Sequence, residues 1–323
     1  MDFSITFTGT AGSVPTARRG LPSYLIRHGG SRLLVDCGEG TQRQLLKSTG
    51  LVDLDAVFIT HFHADHWLGL PGLLKTFDLR ERERPLSLYG PEGINRIVDF
   101  AADAAGATRY PLDVNVISPS DIVEFNELRV SAFQVRHRGA SVGYAFYEDH
   151  RPGRVDVDKA RKLGIEPGPD LGRIQTGETV NGVSPDDVLG PARPGRKLVL
   201  SGDTAPTEAL LLAAHQADVL VHESTFLEEE SDRAAEKLHS TAKQAAECAV
   251  SADVKLLALT HISSRYFGKE LEEEARETFK ESHVPRDFDS VEIPFEESGV
   301  PSLIRSERKN RKEEPARDSA AAE

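Results

Sequence analysis

A chain of 323 residues is long enough to bury a sizeable core, as one large α/β domain or two smaller ones, and its formal charge is −13, from 52 acidic and 39 basic residues. Its two cysteines, Cys37 and Cys248, exclude a disulfide scaffold and a thiolate metal cage, so any metal must be held by imidazole and carboxylate. Both cysteines are expected as small core residues. No apolar run approaches a membrane span and no secretory signal is recognised, which makes a membrane partner unexpected and the cytoplasm the expected location. An acidic surface in which Arg outnumbers Lys suits a cell of high internal salt, or an ordinary acidic enzyme. In either case it works against a nucleic-acid partner.

In chain order, FSITFTGT, SYLIRHG and SRLLVDCG alternate or run apolar and close on glycine or a polar turn, which predicts three short strands. GTQRQLLKSTG reads as a helix stopped by Gly50. LDAVFIT is a buried strand, and GLPGLLKTFDL a helix with Pro71 near its start. Further strands are LSLYG, FNELRVSAFQVRH, VGYAFYE, RKLVLSGD, DVLVHES and VKLLALTH. Helices are predicted at 92–105, 206–216, 240–251 and 269–282. The alternation indicates an α/β or α+β layered fold. Residues 151–195 break the pattern with Gly, Pro and charge, and form either a functional protrusion or a disordered insert. Residues 301–323 are charged and free of aromatics, and are expected to be a disordered tail behind a catalytic domain of residues 1–300.

Chemistry enters at ITHFHADHWLG, where three histidines and an aspartate fall within six positions at the end of an apolar strand. Such lone-pair donors packed side by side repel or desolvate one another unless a cation sits among them. Four other strands end in a potential ligand: His137, Asp203, the pair His222 and Glu223, and His261. The carboxyl ends of neighbouring strands face one crevice, so these residues can meet there. His61 and His63 can point together at one ion and Asp65 and His66 at a second. Asp203 is the candidate bridge that would hold the ions ~3.5–4 Å apart. His28, His150, His215 and His283 are expected as surface or capping residues, and His222 as a satisfied core histidine.

THFHADH resembles the HxHxDH signature of the metallo-β-lactamase superfamily. DCGEGTQRQLL, HADHWLGLPGLL, HRGASVGYAF, LSGDTAPTEAL, VHESTF, LHSTAKQAA and THISSRY narrow the resemblance to the ribonuclease Z family, endonucleases that remove 3′ trailers from precursor tRNA. The resemblance implies an αββα sandwich, two mixed sheets flanked by helices, with residues 151–195 as a protruding arm that grips tRNA from one subunit of a homodimer. It implies two zinc ions per subunit. His61, His63 and His137 would hold one, and Asp65, His66 and His261 the other, with Asp203 between them. Asp36 would orient the metal loops or simply form a turn. PTARRG departs from the family's PTxxRN form in ending on Gly20.

In the implied reaction Asp65 is the general base, and His239, kept protonated by Glu223, supplies the proton to the leaving 3′ oxygen. Arg265 and Tyr266 would contact a substrate phosphate or pack under the metal loops. Gly168, Pro169 and Arg173 lie in the expected tip of the arm. Residues 151–197 carry nine Lys or Arg and seven Asp or Glu, which locally reverses the sign of the chain. Two other possibilities stand beside this one. A small-molecule phosphodiester or sulfate-ester hydrolase of the same superfamily would have no use for the arm. An RNA-binding module without catalysis would have no use for seven intact ligands.

Overall fold

The computed structural model describes residues 2–307. Fifteen strands form two sheets: β1 (Phe3–Gly9), β2 (Ser23–His28), β3 (Ser31–Val35), β4 (Ala56–Phe58), β5 (Leu86–Gly90), β6 (Leu112–Val116), β7 (Ile122–Phe125), β8 (Leu128–Gln134), β9 (Val142–Glu148), β10 (Lys197–Leu200), β11 (Val219–Glu223), β12 (Leu256–Thr260), β13 (Ser282–His283), β14 (Ser290–Glu292) and β15 (Ser302–Ile304). The first sheet has the order β15-β14-β1-β2-β3-β4-β5-β6, and the second β13-β12-β11-β10-β9-β8-β7. Each is mixed. β3 to β6 run parallel, as do β10 to β13, and the remaining pairs are antiparallel.

Helices α1 (Thr41–Ser48), α2 (Ala64–Trp67), α3 (Leu70–Leu79) and α4 (Ile94–Ala105) follow strands of the first sheet. Then come α5 (Val157–Lys162), α6 (Pro169–Gln175), α7 (Pro185–Val188), α8 (Glu208–Ala214), α9 (Ser231–Lys237), α10 (Ala242–Ser251) and α11 (Lys269–Thr278). Alternation in the strands explains the layering. Phe3, Ile5 and Phe7 from β1 meet Val130, Tyr144, Phe146 and Leu198 in a core between the sheets. The outward residues of β4 and β5, Val57 and Leu88, pack with Leu45, Leu73 and Ile97 from α1, α3 and α4. On the far side Leu220 and Leu257 pack under Leu210, Ala246 and Leu271 from α8, α10 and α11. This is the expected αββα sandwich.

Several boundaries differ from the sequence reading. FNELRVSAFQVRH is a hairpin rather than one strand: Phe125 pairs with Leu128 across a turn at Asn126, whose φ of 54° suits an Asn. The helix expected over 269–282 stops at Thr278, because Phe279 turns extended and Ser282–His283 join the second sheet beside β12. The region expected to be a tail from 301 begins with β15, which pairs antiparallel with β14; the rest of that expectation, from 308 onward, lies outside the described residues. His28 is no surface residue but 2% exposed, its Nε2 2.8 Å from Glu148 Oε1. His283 sits in β13, while His150 and His215 are exposed as expected.

The Gly/Pro-rich segment is folded. Three short helices, α5, α6 and α7, enclose a small core of Ala160, Ile165, Ile174, Val180, Val183 and Val188, separate from the cores of the sandwich. Its two ends are laced by backbone hydrogen bonds in both directions between Arg151 and Arg193, at 2.8 and 2.9 Å.

Candidate metal centre

The donors expected from the sequence gather where the parallel strands of both sheets end. His61 lies three residues beyond β4, His63 caps α2, and Asp65 and His66 form its first turn. Asp203 follows β10, Glu223 closes β11, and His261 follows β12 with a φ of 57°. The two rims are stitched together by Val142 N donating to Thr60 O, and by the bridge between Ala11 and Ile262. Gly12 has to be a glycine, since a Cβ there would lie 2.4 Å from the His261 ring.

Two groups of donor atoms result, each lying within 4.8 Å of one another: His61, His63, His137 and Asp203 in one, and Asp65, His66 and His261 in the other. Asp203 faces both. Its Oδ2 stands 3.6 Å from His61 Nε2, 3.8 Å from His137 Nε2 and 3.3 Å from His261 Nε2, and its Oδ1 3.5 Å from His66 Nε2. Asp65 Oδ2 is 3.3 Å from His261 Nε2 and 3.6 Å from His66 Nε2, and accepts a 2.7 Å hydrogen bond from Ser13 N. His63 is the exposed member, its Nδ1 3.2 Å from His137 Nε2.

What fixes the rings is the nitrogen turned away from the cluster. His66 Nδ1 is 2.7 Å from Asp36 Oδ2, and His61 Nδ1 is 3.0 Å from Thr60 Oγ1, whose hydroxyl donates to Asp36. The second sheet repeats the device. His261 Nδ1 is 2.8 Å from Thr225 Oγ1, which donates to Glu223 Oε2 at 2.6 Å, and His239 Nδ1 is 2.7 Å from Glu223 Oε1. His137 Nδ1 donates to Leu238 O at 2.9 Å. With Nδ1–H committed outward, Nε2 of His61, His66, His137 and His261 carries its lone pair into the cluster. Asp36 is thus no mere turn former, and the two threonines that hold the rings are positions that the sequence reading missed. Their signal was nearness in sequence: Thr60 precedes His61, and Thr225 stands two residues after Glu223 in VHESTF.

The donor set fits a metal. His61 Nε2 and His66 Nε2 are buried without any hydrogen-bond partner, a state that is costly unless an ion takes the lone pair. Burial pushes the His61 imidazole well below its ordinary value, and burial beside His137 lowers His63 as well, so both are neutral ligands near pH 7. Against its own burial, Asp203 is held well below the carboxylate range by His261, His66 and His61. His66 is driven the other way: burial opposes it, but Asp203 and Asp36 hold it well above its ordinary value. Without an ion His66 would hold a proton on Nε2; a bound metal would take the place of that proton, and the ring would then offer it a lone pair.

His239 is set apart from the ligands. Its donor atoms also fall within reach of Asp203 and His261, yet Nδ1, 4.0 Å from Asp203 Oδ2, is committed to Glu223. Although its burial works in the opposite direction, Glu223 and Asp203 raise its pKa to about 9. His222 has its Nδ1 2.7 Å from the Glu223 carbonyl oxygen and lines no donor group, as expected of a core histidine. Arg265 and Tyr266 are both engaged by Glu230, Arg265 through Nη1 at 2.7 Å and Tyr266 through its hydroxyl, and Arg265 also lies over the Phe226 ring. That favours packing beside the metal loops over an open phosphate contact. Gly168 and Pro169 are exposed at the start of α6 and Arg173 in its last turn, where it is paired with Asp170 and Glu178.

A family model described as the metallo-β-lactamase superfamily matches residues 19–261, and with the two-sheet sandwich and the His/Asp rim it places the chain in that superfamily of metal-dependent proteins. Ribonuclease Z of Natronomonas pharaonis is 45% identical over 91% of this chain and 99% of its own, and that of Archaeoglobus fulgidus 44% identical over 92% and 100%. The chain belongs to the ribonuclease Z family. The crystal structure of the short form of human tRNase Z superposes with a TM-score of 0.67 at 27% identity, over 90% of this chain and all of that one.

Proposed function

We infer that this chain is an endoribonuclease that hydrolyses the phosphodiester at the 3′ boundary of precursor tRNA and leaves a 3′-hydroxyl on the tRNA. The observation that carries this is the His239–Glu223 pair at the edge of a two-sided His/Asp cluster, in a chain that matches ribonuclease Z along nine-tenths of its length. Two zinc ions would be held by His61, His63 and His137 on one side and Asp65, His66 and His261 on the other, with Asp203 shared. When bound, such ions lower the pKa of an attacking water to about 7 and neutralise charge that develops on the phosphoryl oxygens.

The chain's own groups do the rest. Asp65 is held below the ordinary carboxylate range, burial notwithstanding, by His261 and His66, so it is ionised throughout the working range. Its Oδ2 takes the contacts with Ser13, His261 and His66, which leaves Oδ1 to receive the proton of the nucleophile. His239 gives its Nε2 proton to the departing 3′ oxygen; a pKa of about 9 keeps that proton in place at neutral pH. Glu223, fully buried and accepting also from Thr204 N, supplies the compensating charge and fixes the ring.

Residues 151–195 serve as the arm that holds the body of the tRNA, with Gly168, Pro169 and Arg173 toward its tip. The working unit is a homodimer in the cytoplasm. Recognition has to come mostly from shape and stacking, because the chain as a whole is acidic and phosphate contacts lose strength steeply with salt. The test is cleavage of a 3′-extended precursor tRNA beside mature tRNA and bis(p-nitrophenyl) phosphate. Release of the trailer is expected, and a shortened chain lacking residues 157–188 should lose most of it by a rise in KM. Hydrolysis of the chromogenic ester alone would instead mark a small-molecule enzyme.

A further inference from the structure

The arm leaves the sandwich through a neck whose two sides are Arg151 and Arg193, and the segment that follows β14 packs on that neck. Glu297 binds both sides at once: it accepts from Arg151 Nη1 at 2.8 Å and Nη2 at 3.0 Å, and from Arg193 Nη1 at 2.7 Å. Arg193 Nε donates to Pro152 O, which closes the neck upon itself. Two residues earlier in the chain, the Phe295 ring has the Arg151 guanidinium 3.5 Å from its centroid and the Arg196 guanidinium 4.0 Å from it. Arg196 is 4% exposed and is in turn fixed by the sandwich: its Nε donates to Glu148 Oε2 at 2.9 Å and its Nη1 to Ile293 O at 2.9 Å. His28 of β2 completes this buried group through Glu148.

We propose that Phe295 and Glu297 form a clamp that sets the direction of the arm relative to the metal centre, and so act as positioning residues for the substrate. The contacts run in one line from the sandwich to the arm: β2 and β9 hold Glu148, Glu148 holds Arg196, Arg196 and Arg151 flank Phe295, and Glu297 ties Arg151 to Arg193. Nothing else among the described contacts gives the neck comparable stiffness, since its ladder consists of two bridges, Arg151 with Arg193 and Val155 with Leu189. A two-stranded ribbon of that length is marginal by itself. Flat guanidinium faces against an aromatic ring resist rotation as well as separation, and a carboxylate that receives both arginines removes shear between the strands. A clamp of this kind matters for a ligand held at two distant points, where an error of angle at the neck keeps the two points from being engaged at once and so weakens binding.

The clamp rests on the arm's role in holding tRNA, and the experiment separates the two. Steady-state cleavage of a 3′-extended precursor tRNA is measured for the full chain, Phe295→Leu, Phe295→Tyr, Glu297→Gln and a chain lacking residues 157–188, with bound metal quantified in each. Phe295→Leu keeps apolar bulk but loses the π face, and is expected to raise KM by about tenfold with kcat and metal content unchanged; Glu297→Gln should do the same. Phe295→Tyr should restore the parent KM. An unchanged KM in Phe295→Leu and Glu297→Gln, with a raised KM in the shortened chain, overturns the clamp and leaves the arm's role intact. An unchanged KM in the shortened chain overturns both. A fall in kcat or metal content together with the rise in KM would reveal a general structural defect, and would also overturn the clamp.

Discussion

The metal rim and the arm are held by opposite means. At the rim the seven donors lie just beyond strands or in the first turn of a helix of the sandwich, and four histidines have their outer nitrogens tied to Thr60, Asp36, Thr225 or a backbone carbonyl. The arm rests on six buried aliphatic residues of its own and on a narrow neck. Donors that share ions tolerate little misplacement and need the rigidity of two packed sheets, whereas a segment that grips a large polyanion needs reach and one well-set angle. The two regions should therefore fail in different ways: damage at the rim should appear in kcat and metal content, and damage in the arm in KM.

The largest effect that separates them is at His239. His239→Ala should slow precursor cleavage by about 10²–10⁴-fold while both metals stay bound, which single-turnover rates and elemental analysis would establish. Loss of metal in that variant would make His239 a ligand rather than an acid. A smaller effect is expected from Ile174→Ala, which empties the centre of the arm's core and should cost that module about 2–5 kcal/mol. Amide exchange should quicken across the arm and KM rise by about tenfold, with kcat and metal retained. Equal losses in kcat and metal would mean that the two regions are one cooperative unit.

The smallest effect belongs to the buried group between them. Despite burial, Arg196 and His28 lower the Glu148 carboxyl to about 2 from an ordinary value of 4.5. A depressed folded-state pKa gives stability that is fully present above 4.5 and lost as pH falls toward 2. Glu148→Gln should cost roughly 2–3 kcal/mol near neutrality and flatten the acid limb of the stability curve across that window, as followed by denaturant titration at stepped pH. An acid limb as steep as the parent's would show that the pairing contributes nothing.

Much of the rim was legible because the fold writes it into local sequence. Each of β4, β10, β11 and β12 is an apolar run that stops at a polar residue, and a layered sheet brings such stops together. The groups that orient the rings were harder to read. Thr60 and Thr225 look like ordinary strand-end threonines until the rings of His61 and His261 are placed beside them. The short strands were also illegible: β13, β14 and β15 have two or three residues each, too few for an alternation to show, and β14 owes its place to β1, at the other end of the chain. His28 read as a surface or capping residue, because its partner, Glu148, lies 120 residues away. The arm's Gly and Pro content hid its helices. Their apolar residues are spread thinly over three short elements and converge only in three dimensions.

Trailer cleavage depends on the seven donors acting through bound ions. Elemental analysis of desalted, fully active protein is expected to find two divalent metal ions per chain, and to find that Asp203→Ala loses them together with trailer cleavage. Full cleavage by protein that carries no metal, or by Asp203→Ala, would contradict it.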